Sequence, residues 1–176
     1  MISETMLRSH TTTSGFLSGG RMMPNHCYQQ VHIEGPKLLI QQIYESIWVT
    51  APEERQFCQL IVPMPFEQWL APKTKWGDYE VEGWYDWRCE NWGTKWDIVD
   101  VQLTNEIEDD EDKSSFSFNC WTAWSPPTPV WDKLQKTGVK VHATYQDEGG
   151  MFEGEYINGH DRSWEPEFEE EEADAV

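Results

Sequence analysis

Positive charge is what this sequence has least of: 13 lysines and arginines stand against 32 aspartates and glutamates, a net charge of −19. Nucleic-acid binding needs basic groups to neutralise phosphates, so direct DNA or RNA binding is not expected. Long apolar runs are missing too. A membrane-spanning helix needs roughly 18 or more consecutive apolar residues, and no secretory signal pattern is present either, so a cytosolic protein with no membrane partner is expected. Cysteine is sparse and unclustered. Cys27, Cys58, Cys89 and Cys120 recur every 31 residues, but their flanks CYQQVHI, CQLIVPM, CENWGTK and CWTAWSP share nothing else, so the spacing is no repeat. With no CxxC or paired histidines, zinc is not expected.

Several catalytic signatures are absent as well. No glycine-rich phosphate loop occurs: Gly149-Gly150 lies between two strand patterns and reads as a hairpin turn. "NEIEDDED" shares only acidity with a calcium loop, lacking the glycine of its sharp turn and its final glutamate. His32 and His142 alternate with apolar neighbours and read as strand residues. Cys89 lies near Asp86 and Glu90, whose charges disfavour a thiolate. No nucleophile stands beside a base, so no enzyme, cofactor or metal is expected.

What the chain does have is aromatic surface. Hydrophobic residues make up only 38%, yet 11 are tryptophans, and each buried aromatic removes roughly 150–250 Å² from water. A core is therefore within reach, and the length suits one domain. Residues 1–22 are rich in Ser, Thr and Gly without periodicity and read as a disordered leader, with an alternative start at Met22 or Met23. Residues 161–176 carry eight acids and one arginine and read as an acidic disordered tail. The domain is thus expected over 23–160. Residues 23–160 keep a charge of −13, and −7 without the six acids of 106–112.

Within that domain "HCYQQVHIEG" alternates as a strand, and Gly35-Pro36 hands over to an amphipathic helix, "KLLIQQIYESIW". "QFCQLIVPMP" reads as a second strand ended by prolines, and "FEQWLAPKTKWGD" as a helical turn and loop. "VEGWYDWRCENW" has helical aromatic spacing, with Gly93 as a left-handed C-terminal cap. "IVDVQLTNEI" and "SSFSFNCWTAW" form a hairpin with an acidic tip. "SPPTPVWDKLQKTG" is a helix stopped by Gly138, and two final strands surround Gly149-Gly150. This order points to an α+β, ferredoxin-like antiparallel sheet with two helices on one face and a Trp-rich helical insert.

Four blocks then carry a family resemblance. "MPNHCYQQVHIEGP", "IVPMPFE", "WYDWRCENWGTKWD", and "TAWSPPTPV" with "YQDEGGMFEGE" resemble, in order, the YubB ferredoxin-like domain proteins of phages and conjugative plasmids. The resemblance spans about Met23 to His160, and His26 stands where that family favours Trp. It implies a ferredoxin-like fold and a mobile-element protein in a bacterial host cell, with no established activity and no catalytic residues to carry over.

Two binding readings follow. Negative charge on a sheet edge, hairpin and tail suits a basic protein partner, such as a host or defence protein whose groove normally holds nucleic acid. The candidate surface is Glu106, Glu108, Asp109, Asp110, Glu111 and Asp112, together with Glu165, Glu167, Phe168, Glu169, Glu170, Glu171 and Glu172, Phe168 serving as anchor. The alternative is a nucleotide-like ligand in an aromatic slot of Trp84, Trp87, Asn91, Trp92, Lys95, Trp96, Trp121 and Trp124, since ring stacking is worth about 1–3 kcal/mol per base. The favoured account of NWGTKWD is structural: Trp92 and Trp96 bury, Gly93 caps, and Asp97 pairs with Lys95 or accepts a backbone N–H.

Overall fold

The computed structural model describes residues 25–50, 56–76 and 79–166. Its main sheet is built from seven strands: β1 (His26–Pro36), β4 (Val99–Leu103), β5 (Glu108–Asp109), β6 (Lys113–Ala123), β7 (Lys140–Asp147), β8 (Glu153–Ile157) and β9 (His160–Trp164). A small separate hairpin pairs β2 (Thr74–Trp76) with β3 (Tyr79–Val81). The helices are α1 (Lys37–Tyr44), α2 (Phe57–Ile61), α3 (Phe66–Trp69), α4 (Gly83–Trp92) and α5 (Thr128–Gln135), and α1 runs on into a π-helical turn, Glu45–Val49.

The strand order is β4-β6-β1-β7-β8-β9, with β5 also on the outer side of β6, and every neighbouring pair is antiparallel. The chain leaves β1 through α1 and reaches the sheet again at β4, beyond β6; it leaves β6 through α5 and returns as β7, on the far side of β1. Both helices lie on one face because period-two alternation gives the strands one apolar side. Cys27, Val31 and Ile33 of β1, Phe116, Phe118 and Cys120 of β6, and Val141, Ala143 and Tyr145 of β7 are all buried. They pack with Ile40, Ile43 and Ile47 from the α1 segment and Val130, Trp131 and Leu134 from α5 in one core. Burying each such side chain contributes roughly 1.5–3 kcal/mol.

Three expectations change. "QFCQLIVPMP" is no strand: residues 57–61 form α2, and after β1 the chain next joins the main sheet at β4. A short apolar run does not by itself distinguish strand from helix; here the Asp97 carboxylate decides by accepting the Cys58 and Gln59 N–H groups at the start of α2, at 2.8 and 2.9 Å. The stretch after α3 holds the β2–β3 hairpin in place of a plain loop. The chain past 160 does not begin as a tail, because β9 continues to Trp164 in register with β8. The leader and residues 167–176 lie outside the described residues.

Candidate functional site

The densest set of sequence-flagged residues is NWGTKWD, and most of it is tied into the fold, although Trp96 is only part-buried and its indole N–H has no partner among the described residues. Trp92 is 1% exposed, and its indole N–H donates to the Val62 carbonyl at 2.8 Å. Gly93 sits at φ 77°, in the left-handed conformation that caps α4, and a β-carbon there would lie 2.9 Å from Pro129 Cδ. Its carbonyl accepts the Ser125 hydroxyl. The buried Thr94 hydroxyl donates to the Ala123 carbonyl at 3.1 Å and accepts the Ala123 N–H at 3.0 Å, continuing the ladder where β6 ends. Asp97 accepts a third N–H, from Ile98, at 2.8 Å. Burial raises the Asp97 pKa, against the opposing pull of its backbone donors.

The proposed aromatic slot is divided, and its centre is occupied by the protein's own cations. The Arg88 guanidinium lies 4.9, 4.6 and 4.6 Å from the ring centroids of Trp69, Trp84 and Trp92. Trp87 packs edge-on to Trp92, and Asn91 donates to the Trp87 carbonyl at 2.9 Å. Lys95 forms a second cluster, its Nζ 5.9 Å from the Tyr85 ring, 5.8 Å from Trp96 and 5.5 Å from Trp124. Such contacts are worth roughly 0.5–2 kcal/mol each. Trp121 belongs to neither cluster. Its neighbours Cys120 and Thr122 point into the core, so alternation turns Trp121 to the uncovered face, where its ring centroid is 4.9 Å from Tyr28 and 6.0 Å from His26. Trp124 has φ 66°, an outlier for so bulky a residue, and its N–H donates to the Asn25 carbonyl at 2.8 Å.

The acidic candidates are divided too. Glu106, Glu108, Asp109, Asp110, Glu111 and Asp112 are exposed around the β5–β6 hairpin. Only Asp109 among them is in an ion pair with another described residue, its carboxylate 3.1 Å from Lys37 Nζ. Glu165 follows β9 at the opposite edge. Five strand spacings separate β5 from β9, about 24 Å of sheet, so Glu165 and the hairpin stand at opposite edges. Glu167, Phe168, Glu169, Glu170, Glu171 and Glu172 lie outside the described residues.

What reading the sequence missed is the uncovered face itself. Tyr28, Gln30 and His32 of β1, Ser117, Asn119 and Trp121 of β6, and His142, Thr144 and Gln146 of β7 look out from it, none of them buried. The signal was present in "HCYQQVHIEG", where each outward position is aromatic or polar. Two hydrogen bonds flank a histidine pair on this face: Ser117 Oγ lies 2.9 Å from His32 Nδ1 and His142 Nε2 lies 2.9 Å from Glu155 Oε1, while His32 stands in register opposite His142. Two shallow hollows flank this pair. One of about 470 Å³ lies between Tyr28 and Trp164; the other, of about 360 Å³, lies around His32, Ser117 and Asn119, and the two share Gln30 and Thr144.

The cysteines are placed for packing. Cys27, Cys58 and Cys120 are buried and unpaired. Burial pushes the Cys27 thiol up to about 12 and those of Cys58 and Cys120 well above the ordinary value. Partial burial raises Cys89 as well. Among the described residues no group of three or more His, Cys, Asp and Glu side chains is arranged to hold a metal, and no helix is long and apolar enough to cross a membrane. Compared with protein-family models, curated proteins and solved structures, the chain matches none.

Proposed function

We propose that this chain is a non-enzymatic accessory protein, of the kind phages and conjugative plasmids encode, that binds a host or defence protein through a basic surface on that partner. Its core is read as ferredoxin-like: β4-β6-β1-β7 with α1 and α5 follows the split βαβ order, and β5, β8 and β9 extend it. The observation that carries the binding reading is the β5–β6 hairpin. Five exposed carboxylates there, those of Glu106, Glu108, Asp110, Glu111 and Asp112, form no ion pair with any described residue. A local field of that sign accelerates encounter with a basic surface and fades as salt screens it.

The test compares capture of host proteins by the wild type and by a variant in which those five residues become Gln or Asn, in low and in high salt. The expected result is a partner that the wild type captures in low salt and loses in high salt, and that the neutralised variant fails to capture. Capture that survives both neutralisation and salt sinks the reading. The nucleotide-like alternative has less support, because Arg88 fills the space between Trp69, Trp84 and Trp92.

A further inference from the structure

The larger hollow on the uncovered face has a chemistry distinct from the hairpin and lies toward the opposite end of the sheet: Tyr28, Gln146, Glu153 and Trp164 line it, while the hairpin joins β6 near the far end of β1, where Lys113 pairs with Pro36. Shallow and open, with a volume of about 470 Å³, it has room to seat a small molecule or the end of a long side chain against its floor without enclosing it. Two aromatic rings bound it, Tyr28 on β1 and Trp164 on β9, with β7 and β8 between them as the floor.

Its charged groups are acceptors held in place, beside the Thr144 hydroxyl and the Gln146 amide. Glu153 accepts the Trp164 indole N–H at 2.6 Å, and Glu155 is 2.9 Å from His142 Nε2, so each carboxylate is oriented while one oxygen remains for a ligand. The Gln30 amide nitrogen donates to the Tyr28 hydroxyl at 3.4 Å, which leaves the Gln30 carbonyl oxygen as a further acceptor. No lysine or arginine lines the hollow. Arg162 stands opposite Glu155 on β9 but forms no ion pair with any described residue.

From this arrangement we infer that the hollow is a guanidinium site. A guanidinium is planar and presents several N–H donors in a fixed fork, so it stacks on an aromatic ring while its edge meets carboxylates and amide oxygens. Phosphates and carboxylates are repelled by the same two glutamates. A compact ammonium has no flat face to lay on Trp164 and fewer donors for this set of acceptors. The guanidinium reaches the site either as a small free molecule or as an arginine side chain of a polypeptide. The inference stands apart from the hairpin reading, since neither feature uses residues of the other.

The test follows the Trp164 indole N–H resonance of the whole protein by NMR during titration with arginine amide, with the peptide Ala-Arg-Ala, and with their citrulline counterparts, which keep the shape but lose the charge. Saturable shifts at Trp164 and in the β8 amides are expected with the arginine probes and not with citrulline. E153Q/E155Q is expected to weaken binding at least about tenfold, the scale of losing charge-assisted hydrogen bonds. If that double variant does not fold, E155Q alone gives the same readout with the Trp164–Glu153 bond intact. Arginine amide binding as well as the peptide supports a free guanidinium ligand, and tighter peptide binding supports an arginine in a chain. Equal shifts from citrulline, no shift with any probe, or undiminished binding in the glutamine variants overturns the inference.

Discussion

On β1, Cys27, Gln29, Val31 and Ile33 are sealed beneath the helices, while Tyr28, Gln30 and His32, one position along in each case, look out over a face that no helix covers. The covered side tolerates polarity only where it is fully answered. Buried Gln29 donates to Thr122 Oγ1 and to the Cys27 carbonyl, and its own oxygen lies 3.5 Å from Cys120 Sγ. The uncovered side leaves acceptors and ring faces with capacity to spare. Alternate residues on the same strands thus answer to different requirements, close packing below and contact with solvent above, and substitutions on each side test them separately.

The strongest way to break the comparison is Trp92→Ala on the covered side, which removes a fully buried indole and its hydrogen bond to Val62. A loss of about 4 kcal/mol in denaturant unfolding is expected. Asp97→Ala comes next. It strands the N–H groups of Cys58, Gln59 and Ile98, and about 3 kcal/mol should be lost in the same measurement. Gly93→Ala forces a β-carbon against Pro129 at positive φ, for about 2 kcal/mol. On the open face, Trp121→Ala gives up ring contacts with Tyr28 and His26 and should cost about 1 kcal/mol. An effect there as large as that of Trp92 would mean that the open face is a second core.

The smallest effect, and the one that sharpens the contrast most, is the response to pH. Hydrogen bonds and charge from Lys140, then Lys113, hold the pKa of open-face Glu34 below the usual carboxylate value. Its contribution is therefore fully present above the unfolded-state pKa and lost as pH falls through the folded one. Part-buried Asp97 has its pKa raised by desolvation, so its contribution runs the other way: present below the unfolded-state pKa, lost as pH rises through the folded one. Unfolding midpoints from about pH 3 to pH 7 should lose some of their fall toward acid in Glu34→Gln and some of their fall toward neutral pH in Asp97→Asn. Two profiles that change in the same direction would contradict the placement of these carboxylates.

Much of the fold was legible in residue order. The alternation in "HCYQQVHIEG" and "SSFSFNCWTAW", the prolines before α5 and the glycines at 93 and 138 each express a local constraint that needs no distant partner. What could not be read locally depends on partners far along the chain. Residues 57–61 turn helical because a carboxylate 39 positions away from Cys58 caps their N–H groups. The tryptophans, uniform in the sequence, divide in space. Some surround Arg88 and some Lys95, while Trp121 and Trp164 reach the open face through the register of the strands that carry them.

By itself, then, the sequence determined which residues alternate, where helices stop, and that the surface is acidic, since these follow from side-chain chemistry and from periods of two and 3.6 residues. Only the tertiary structure decided that the acids at 106–112 and Glu165 stand at opposite edges, that Arg88 fills the aromatic slot, and that Glu153, Glu155, Tyr28 and Trp164 share one hollow. Strand order sets those neighbours. It arises from long-range pairing, in which each strand takes the partner that lets all the apolar faces close over a single core.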